Sequence, residues 1–395
     1  MSGRIRLAWK NLTHDPRRLA VACAGIAFAV LLMFVQVGFE NALFTSQVRL
    51  IGKLEGDIFI TSRARFALAA EKRFPLALLQ QAQACEGVAE ASPVYAEWTL
   101  SVLKNLSPGA SSKGYRIRSI GVRPGDSVFR SPEIARQADR LREPMTALID
   151  IRSKTPNFAF PMDDREALAA APAELAGKRV QLVGTFDLGA DFVHDGNLVM
   201  STPTFAKYFP YRKRFEDPLS VVDIGVVRVA DGQKPSEVRK RIAARVGNGV
   251  EVYTRRELKD RETSFWKKNT PIGVVFWAGK VIGFVVGVVI CYQVIFSDIS
   301  DHMPEFATLK AMGYGADYFT RLIVTEGLWL AIMGFVPGAL VSWALYIWLG
   351  EKTGLQMDMT LGVLGLVLAS TVVMCVISGL LAVRKLLNAD PANLF

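Results

Sequence analysis

Four apolar stretches, each about as long as a bilayer is thick, dictate what this chain can become. A helix rises about 1.5 Å per residue, so a hydrocarbon core of about 30 Å takes about 20 apolar residues. The first stretch, Leu19–Phe39, contains no charge. The second lies within Ile272–Phe296 and carries one charge, Lys280. The third, roughly Leu322–Leu349, is interrupted by Glu326 and by Pro337-Gly338. The fourth, roughly Leu361–Val383, is uncharged. Between the first two lie roughly 230 more polar residues, Glu40 to Thr270, enough for a domain of its own. The mean hydropathy of +0.25 fits such a mixture, being high for a soluble protein and low for an embedded one. With 51% hydrophobic residues the chain has ample material for a core, which excludes disorder. Four cysteines in 395 residues exclude a disulfide scaffold. The net charge of +10 leaves lipid, nucleic acid or neither as its object.

Basic residues precede the first stretch, as in a signal peptide, but its length and the lack of a small-x-small cleavage site favour a retained anchor. Lys and Arg in short flanks orient the spans. Arg4, Arg6, Lys10, Arg17 and Arg18 precede the first; Arg384 and Lys385 follow the last; Lys310 and Arg321 lie between the second and third. The loop between the third and fourth holds only Lys352, beside Glu351 and Asp358. Both termini and the 297–320 loop are therefore expected in the cytoplasm and the large domain outside, or in the periplasm. Lys267 and Lys268 oppose this, but they adjoin a long translocated domain, where the rule is weak. Cys23, Cys291 and Cys375 fall within spans, where cysteine is a small apolar packer, and Cys85 is alone in the outer domain. His14, His194 and His302 are scattered and no metal-ligand spacing occurs.

The outer domain reads as mixed α/β. Residues 56–61, 94–104, 180–186, 221–229 and 250–253 have strand character, with Trp98, Leu100 and Val102 alternating against polar neighbours. Residues 76–84, 236–245 and 255–268 read as helices. A helix followed by Gly87-Val88 and a strand is matched by a helix followed by Gly249-Val250 and a strand. This suggests two halves of one subdomain, with 125–225 inserted between them. Asp163-Asp164 and His194-Asp195 read as solvated loop residues rather than a catalytic pair. Neither a GxSxG nor a Cys/His arrangement occurs. Arg116, Arg118, Arg123, Arg179, Arg212, Lys213 and Arg214 read as a solvated basic surface that could face lipid head groups or an acidic partner; no nucleic-acid motif is present.

In the second span Gly279, Gly283 and Gly287 recur every four residues, and Gly334 and Gly338 repeat the spacing in the third, where Pro337 should kink the helix. Lys280 leaves about 16 residues below it if it marks the interface, short for a span. A long helix from about Arg261 is therefore expected, with Lys280 snorkelling outward. In the 297–320 loop, Asp301 is a candidate N-cap, Pro304 fits a first turn and Gly313 a C-terminal stop. The helix between them puts Phe306, Leu309 and Met312 on one side. At about two and a half turns it cannot be stable alone and must pack on the bilayer surface or on a partner.

That loop, SDISDHMPEFATLKAMGYG at 297–315, resembles the cytoplasmic coupling segment of FtsX-type permeases, the type VII ABC transporter family that includes MacB. Stretches 19–44, 250–273, 292–314 and the ending ADPANLF at 389–395 resemble the DevC-like branch, permeases of heterocyst-glycolipid exporters. The resemblance implies an α-helical membrane protein with four transmembrane helices and a MacB-like α/β periplasmic domain between helices 1 and 2. It implies residues 1–18 in the cytoplasm, helices at 19–40, 266–296 (with a stalk), 321–349 and 361–383, and a periplasmic domain at 41–265. That domain divides into a porter-like part (41–124 and 226–265) and the inserted 125–225. Residues 350–360 become a short periplasmic loop, and 384–395 a cytoplasmic terminus in the inner membrane.

By the same resemblance, Asp301, Glu305, Phe306, Thr308, Leu309, Lys310, Met312 and Gly313 couple to an ABC ATPase subunit, DevA-like. Two permease chains pair as a homodimer with two ATPases, and the first two helices carry the motion outward. A DevB-like membrane-fusion adaptor, a TolC-like outer-membrane duct and membrane lipid are the further partners implied, with a lipid, glycolipid or other amphiphile as cargo. The Gly-Lys pairs at 52–53, 177–178 and 279–280 are not followed by Ser or Thr, so no phosphate cradle is expected here. No cofactor is expected on this chain, and ATP with Mg belongs to the partner. The rival expectation is an FtsX-like signalling scaffold that activates a periplasmic cell-wall hydrolase.

Overall fold

The computed structural model describes residues 15–110, 113–191, 193–212, 217–301, 303–353 and 357–387. Its longer helices are α1 (Pro16–Lys53), α2 (Leu76–Gln83), α3 (Pro235–Val246), α4 (Arg255–Lys268), α5 (Pro271–Asp301), α6 (Met303–Ala311), α7 (Ala316–Thr353) and α8 (Leu361–Leu387). The strands are β1 (Ile58–Ser62), β2 (Phe74–Pro75), β3 (Val88–Glu97), β4 (Val102–Asn105), β5 (Tyr115–Arg116), β6 (Arg118–Val122) and β7 (Thr146–Asp150). They continue with β8 (Ala173–Leu175), β9 (Lys178–Phe186), β10 (Asn197–Ser201), β11 (Val221–Val222), β12 (Ile224–Val229) and β13 (Val250–Thr254). Two compact units result. A helical one ends its first segment at Asn41 and resumes over Pro271–Gly350 and from Met357; an α/β one takes Ala42–Thr270 and the few residues from Glu351.

In the helical unit, α1, α5, α7 and α8 are each long and apolar enough to cross a membrane. Only a helix satisfies its own backbone in such a setting, and α7 runs unbroken through Pro337. Small residues set the packing. A Cβ on Gly334 would lie 2.5 Å from Ile26 of α1, and one on Gly338 would lie 2.9 Å from the Ala27 carbonyl. Phe34 of α1 meets Phe335 of α7 at 5.8 Å, and the Tyr346 hydroxyl donates to the Phe34 carbonyl. Helices α5 and α8 pack along one another, with the Sγ atoms of Cys291 and Cys375 3.6 Å apart and the Ser378 hydroxyl donating to the Val288 carbonyl at 2.8 Å.

In the α/β unit, eleven strands form one sheet in the order β13-β1-β12-β3-β6-β10-β7-β9-β8-β4-β5. The first four are antiparallel. Their connections, β1-α2-β3 and β12-α3-β13, make a split βαβ arrangement of the ferredoxin type, with α2 packed on β3, α3 on β13, and the two helices on each other. The remaining strands extend that sheet from the free edge of β3. Alternate residues serve opposite faces. Ile58 and Ile60 join Leu79, Val238 and Ile242 in one core. Phe59 joins Leu50 and Ile51 of α1, Leu54 just after it and Leu258 of α4 in the other.

The structure departs from the sequence-based expectations at several points. The extension of the sheet begins with β4, not at 124, because β4 and β6 pair with strands of the inserted segment and β5 pairs with β4. The strand expected over 94–104 is two: β3 stops at Glu97, whose carboxylate accepts the amides of Thr99 and Leu100 at 3.3 and 3.2 Å and turns the chain. The long helix expected from Arg261 is also two, broken at Asn269-Thr270. Pro271 disfavours helical backbone in the residue before it, and the Asn269 amide closes α4 on the Phe265 carbonyl at 2.8 Å.

Candidate functional site

The 297–320 segment folds as α6 between α5 and α7. Asp301 is the last residue of α5 rather than a cap of α6; apolar periodicity runs into it from the span without a break. Glu305 lies in the first turn of α6, where a carboxylate suits the positive end of the helix dipole. The Thr308 hydroxyl donates back to the Pro304 carbonyl at 2.9 Å. Gly313 ends the helix at φ +93°, and the Tyr314 amide reaches the Leu309 carbonyl at 3.2 Å. That six-to-one bond is the Schellman stop, in which glycine takes the left-handed residue at no steric cost. Asp301, Glu305 and Thr308 are exposed, Leu309 is half-buried and Met312 is 63% exposed. The side chains of Phe306 and Lys310 lie outside the described residues, as does His302. The result is a short helix with Glu305, Thr308 and Met312 exposed and a glycine stop at its end.

Of the α5 glycines, Gly279 faces Gln36 of α1, and Gly287 faces Met374 of α8 and Ala29 of α1, while a Cβ on Gly283 would meet nothing within 4 Å. The Gln36 amide donates to the Phe276 carbonyl at 3.3 Å. Lys280 does not stand by itself: its Nζ lies 2.7 Å from the Glu40 carboxylate. The sequence holds no local sign of that pair, since 240 residues separate its members.

A second arrangement, absent from the sequence reading, sits where α1 ends. Arg255 opens α4 and turns its guanidinium back onto the last carbonyls of α1 and those just beyond it. Nη1 donates to Ile51 at 2.6 Å and Gly52 at 3.4 Å; Nη2 donates to Leu54 at 2.8 Å and to the Gly56 carbonyl. Such terminal carbonyls have no intrahelical partner and carry the negative end of the helix dipole. The guanidinium also stacks on Phe59, 5.4 Å from the ring centre. Burial and then Arg130 push the Arg255 pKa down, and Asp57 and Glu55 push it back; an arginine so placed keeps its charge. The Arg130 amide adds a bond to Lys53 at 2.8 Å. Lys267 of α4 lies over the Phe44 ring of α1 at 5.4 Å. The end of α1 is thus clamped to the start of α4 and to the sheet beneath. The local signal was Thr254-x-x-Glu257, a capping box that starts α4 at Arg255.

The supposed basic surface separates into two kinds of arginine. Arg116, Arg123 and Arg179 are exposed, whereas Arg118 and Arg212 are buried and paired. Arg212 and Arg65 both donate to the Asp223 carboxylate, Arg65 at 2.8 Å, in a site with no solvent exposure. Lys213 and Arg214 lie outside the described residues. His194 is likewise not a solvated loop residue. It is 1% exposed, with Nδ1 on Asp191 at 3.0 Å and Nε2 3.2 Å from the Trp98 carbonyl. Burial by itself would raise the Asp191 pKa, but Arg118 at 2.8 Å and the His194 contacts outweigh it and hold the carboxyl well below its ordinary range. Asp164 caps the 165–170 helix by accepting the amides of Glu166 and Ala167, and Asp195 pairs with Lys154 at 2.7 Å. These groups build the fold, and among the described residues no cluster of metal-ligating side chains occurs.

Comparison with known proteins finds similarity in several parts of the chain. Residues 279–391 match the family model described as FtsX-like permease C-terminal. The chain carries an FtsX-like permease domain. That domain takes in most of α5, then α6, α7 and α8, and so holds the whole of the short exposed helix. An uncharacterized ABC transporter permease protein of Mycobacterium tuberculosis is 28% identical over 234 residues, 57% of this chain and 25% of the relative. The chain therefore spans about a quarter of that relative's length. Among solved structures, the periplasmic region of MacB from Actinobacillus actinomycetemcomitans aligns at a TM-score of 0.35 and 10% identity, covering 53% of this chain and 93% of that one. The extracellular domain of the noncanonic ABC-type transporter YknZ from Gram-positive bacteria aligns at 0.34 and 10%, covering 50% and 99%. Four helices able to cross a membrane, three of them beginning within or overlapping the FtsX-like match, make the chain a multi-pass membrane protein.

Proposed function

We propose that the chain is the permease subunit of an ABC-type exporter, which takes ATP-driven motion from a separate ATPase and passes it to its α/β unit. The observation that carries this reading is α6, a capped, solvent-facing helix inside the FtsX-like permease domain. In this reading Glu305, Thr308, Leu309 and Met312 seat in a groove of the ATPase, with Asp301, Phe306, Lys310 and Gly313 framing them. ATP and Mg are bound by that partner. Two copies of the chain pair in the inner membrane, with both termini and α6 in the cytoplasm, an orientation supported by Arg17, Arg18, Arg384 and Lys385 at the span ends. The motion leaves through α1 and α5, and the Arg255 clamp at the end of α1 is the natural point of transfer into the sheet. A periplasmic adaptor, a TolC-like duct and an amphiphilic or lipid cargo complete the assembly.

The test is co-purification in detergent followed by hydrolysis assays. The chain should bring down an ATPase subunit, and Leu309→Asp should abolish that association while leaving the permease folded. Undiminished ATPase coupling in Leu309→Asp would refute the assignment of α6. Capture of a cell-wall hydrolase in place of an adaptor would replace export with a signalling scaffold driven by the same motor.

A further inference from the structure

Residues 63–73, which join β1 to β2, are tied down from inside. Arg65 is fully buried, and its guanidinium donates to the Leu68 carbonyl at 2.7 Å, the Lys72 carbonyl at 2.8 Å and the Asp223 carboxylate at 2.8 Å. From α4, Arg261 donates to the Arg65 carbonyl, and Glu262 accepts the Leu68 amide at 3.0 Å. A loop held at so many points has little freedom to turn a side chain inward. It nevertheless presents Phe66 at 57% exposure, its ring resting on Phe265 of α4 at 5.4 Å. Phe265 in turn meets Trp266 edge-on at 5.7 Å.

The position of these rings along the chain says what covers them. Helix α4 ends at Lys268, and the span α5 begins at Pro271. Phe265 is six residues before that start, so the chain tethers it within about 20 Å of the span. Phe66, in contact with Phe265, shares that tether. Arg63 and Lys72 of the same loop and Lys267 and Lys268 of α4 are exposed. Aromatic rings mixed with Lys and Arg at the end of a span are the composition of a membrane-interface anchor, with ring bodies among the upper acyl chains and cations among anionic head groups. The other large apolar residues exposed on this unit, such as Leu106 and Ile151, have no such short tether to a span.

We propose that Phe66 and Phe265 form an interfacial anchor that inserts at the head-group boundary of the membrane crossed by α5, with Arg63, Lys72, Lys267 and Lys268 on anionic lipid. The anchor depends on α5 being a span and not on the transport reading. To test it, a Phe66→Cys chain with its four native cysteines changed to alanine is labelled with a bimane fluorophore. It is placed in nanodiscs of phosphatidylcholine and phosphatidylglycerol containing a doxyl-labelled lipid. Quenching at position 66 should exceed that at a Leu106→Cys control several-fold. Adding Lys267→Gln and Lys268→Gln should lower it in mixed discs but not in discs of phosphatidylcholine alone. Should the cysteine-free chain fail to fold, Phe66→Trp in the native chain reports the same contact as added quenching by brominated lipid. Equal quenching at positions 66 and 106 would overturn the anchor. So would efficient disulfide cross-linking of two Phe66→Cys chains through position 66 without lipid quenching, which would give the surface to a second copy of the chain.

Discussion

Asp223 has two buried arginines on it, and that places it among the residues least tolerant of change. Its carboxylate is met by Arg65 and Arg212 and accepts the Ala96 amide at 2.9 Å. Removing one partner from such a site strands the others in a low dielectric, at a cost of about 3–5 kcal/mol. Asp223→Ala should therefore lower the midpoint of thermal unfolding of the detergent-solubilised chain by many degrees, with Asp223→Asn in between; an unchanged midpoint would show the site to be solvated. Asp191 adds a pH dependence. Its folded pKa lies below the unfolded value of about 3.9, so its contribution is present above that value and is lost as pH falls through the folded pKa. Amides of residues 193–199 should lose exchange protection on acidification below about pH 4. Asp191→Asn should be less protected at neutral pH and insensitive to acid. Neither cluster was legible from sequence, because Arg118 and Arg212 look like any other surface arginine until partners 73 and 11 residues away close on them.

At the scale of elements, the glycines of the spans divide by what they touch. A Cβ on Gly338 would lie 2.9 Å from backbone of α1 and 2.8 Å from Val30, with no flexible side-chain end to move aside, whereas one on Gly283 meets nothing. Gly338→Ala should destabilise by about 1–3 kcal/mol through overpacking, and Gly283→Ala should be close to neutral, both read as thermal midpoints in detergent. Equal losses at the two sites would mean that Gly283 is covered by another chain. The spacing of the glycines was plain in the sequence, but spacing puts Gly279, Gly283 and Gly287 on one face alike. Which of them touches Gln36, Met374 or nothing depended on the crossing of helices. The clamp at the end of α1 follows the same logic. Arg255→Ala should leave up to four carbonyls without their charged donor, at about 1.5–3 kcal/mol, and should loosen amides near residues 50–56 in hydrogen exchange. Arg255→Lys should restore only part of this, since an ammonium cannot fork across several acceptors.

For the whole molecule, four apolar helices and an α/β unit between the first and second follow from hydropathy alone, because a bilayer demands about 20 apolar residues per span whatever the tertiary details. If the proposed reading holds, the purified chain should hydrolyse no ATP above background; intrinsic activity would sink the proposal of a separate ATPase. β1, β9, β12, β13 and the helices α2, α3 and α4 were also legible, since alternation and helical periodicity are local, whereas β6, β7, β8 and β10 were not. The stop of α6 at Gly313 was legible too, as a left-handed residue at a helix end selects glycine. What the tertiary structure decided is whatever depends on partners far apart in sequence. It made one eleven-stranded sheet of two apparent subdomains, and turned the strand at Glu97 by a carboxylate held among buried arginines. It also paired Lys280 with Glu40 and joined the end of α1 to Arg255. Backbone propensity acts over a few residues, and hydrophobic burial fixes which faces turn inward. The choice of partner for a charge or a sheet edge is made only when the folded chain brings the two together.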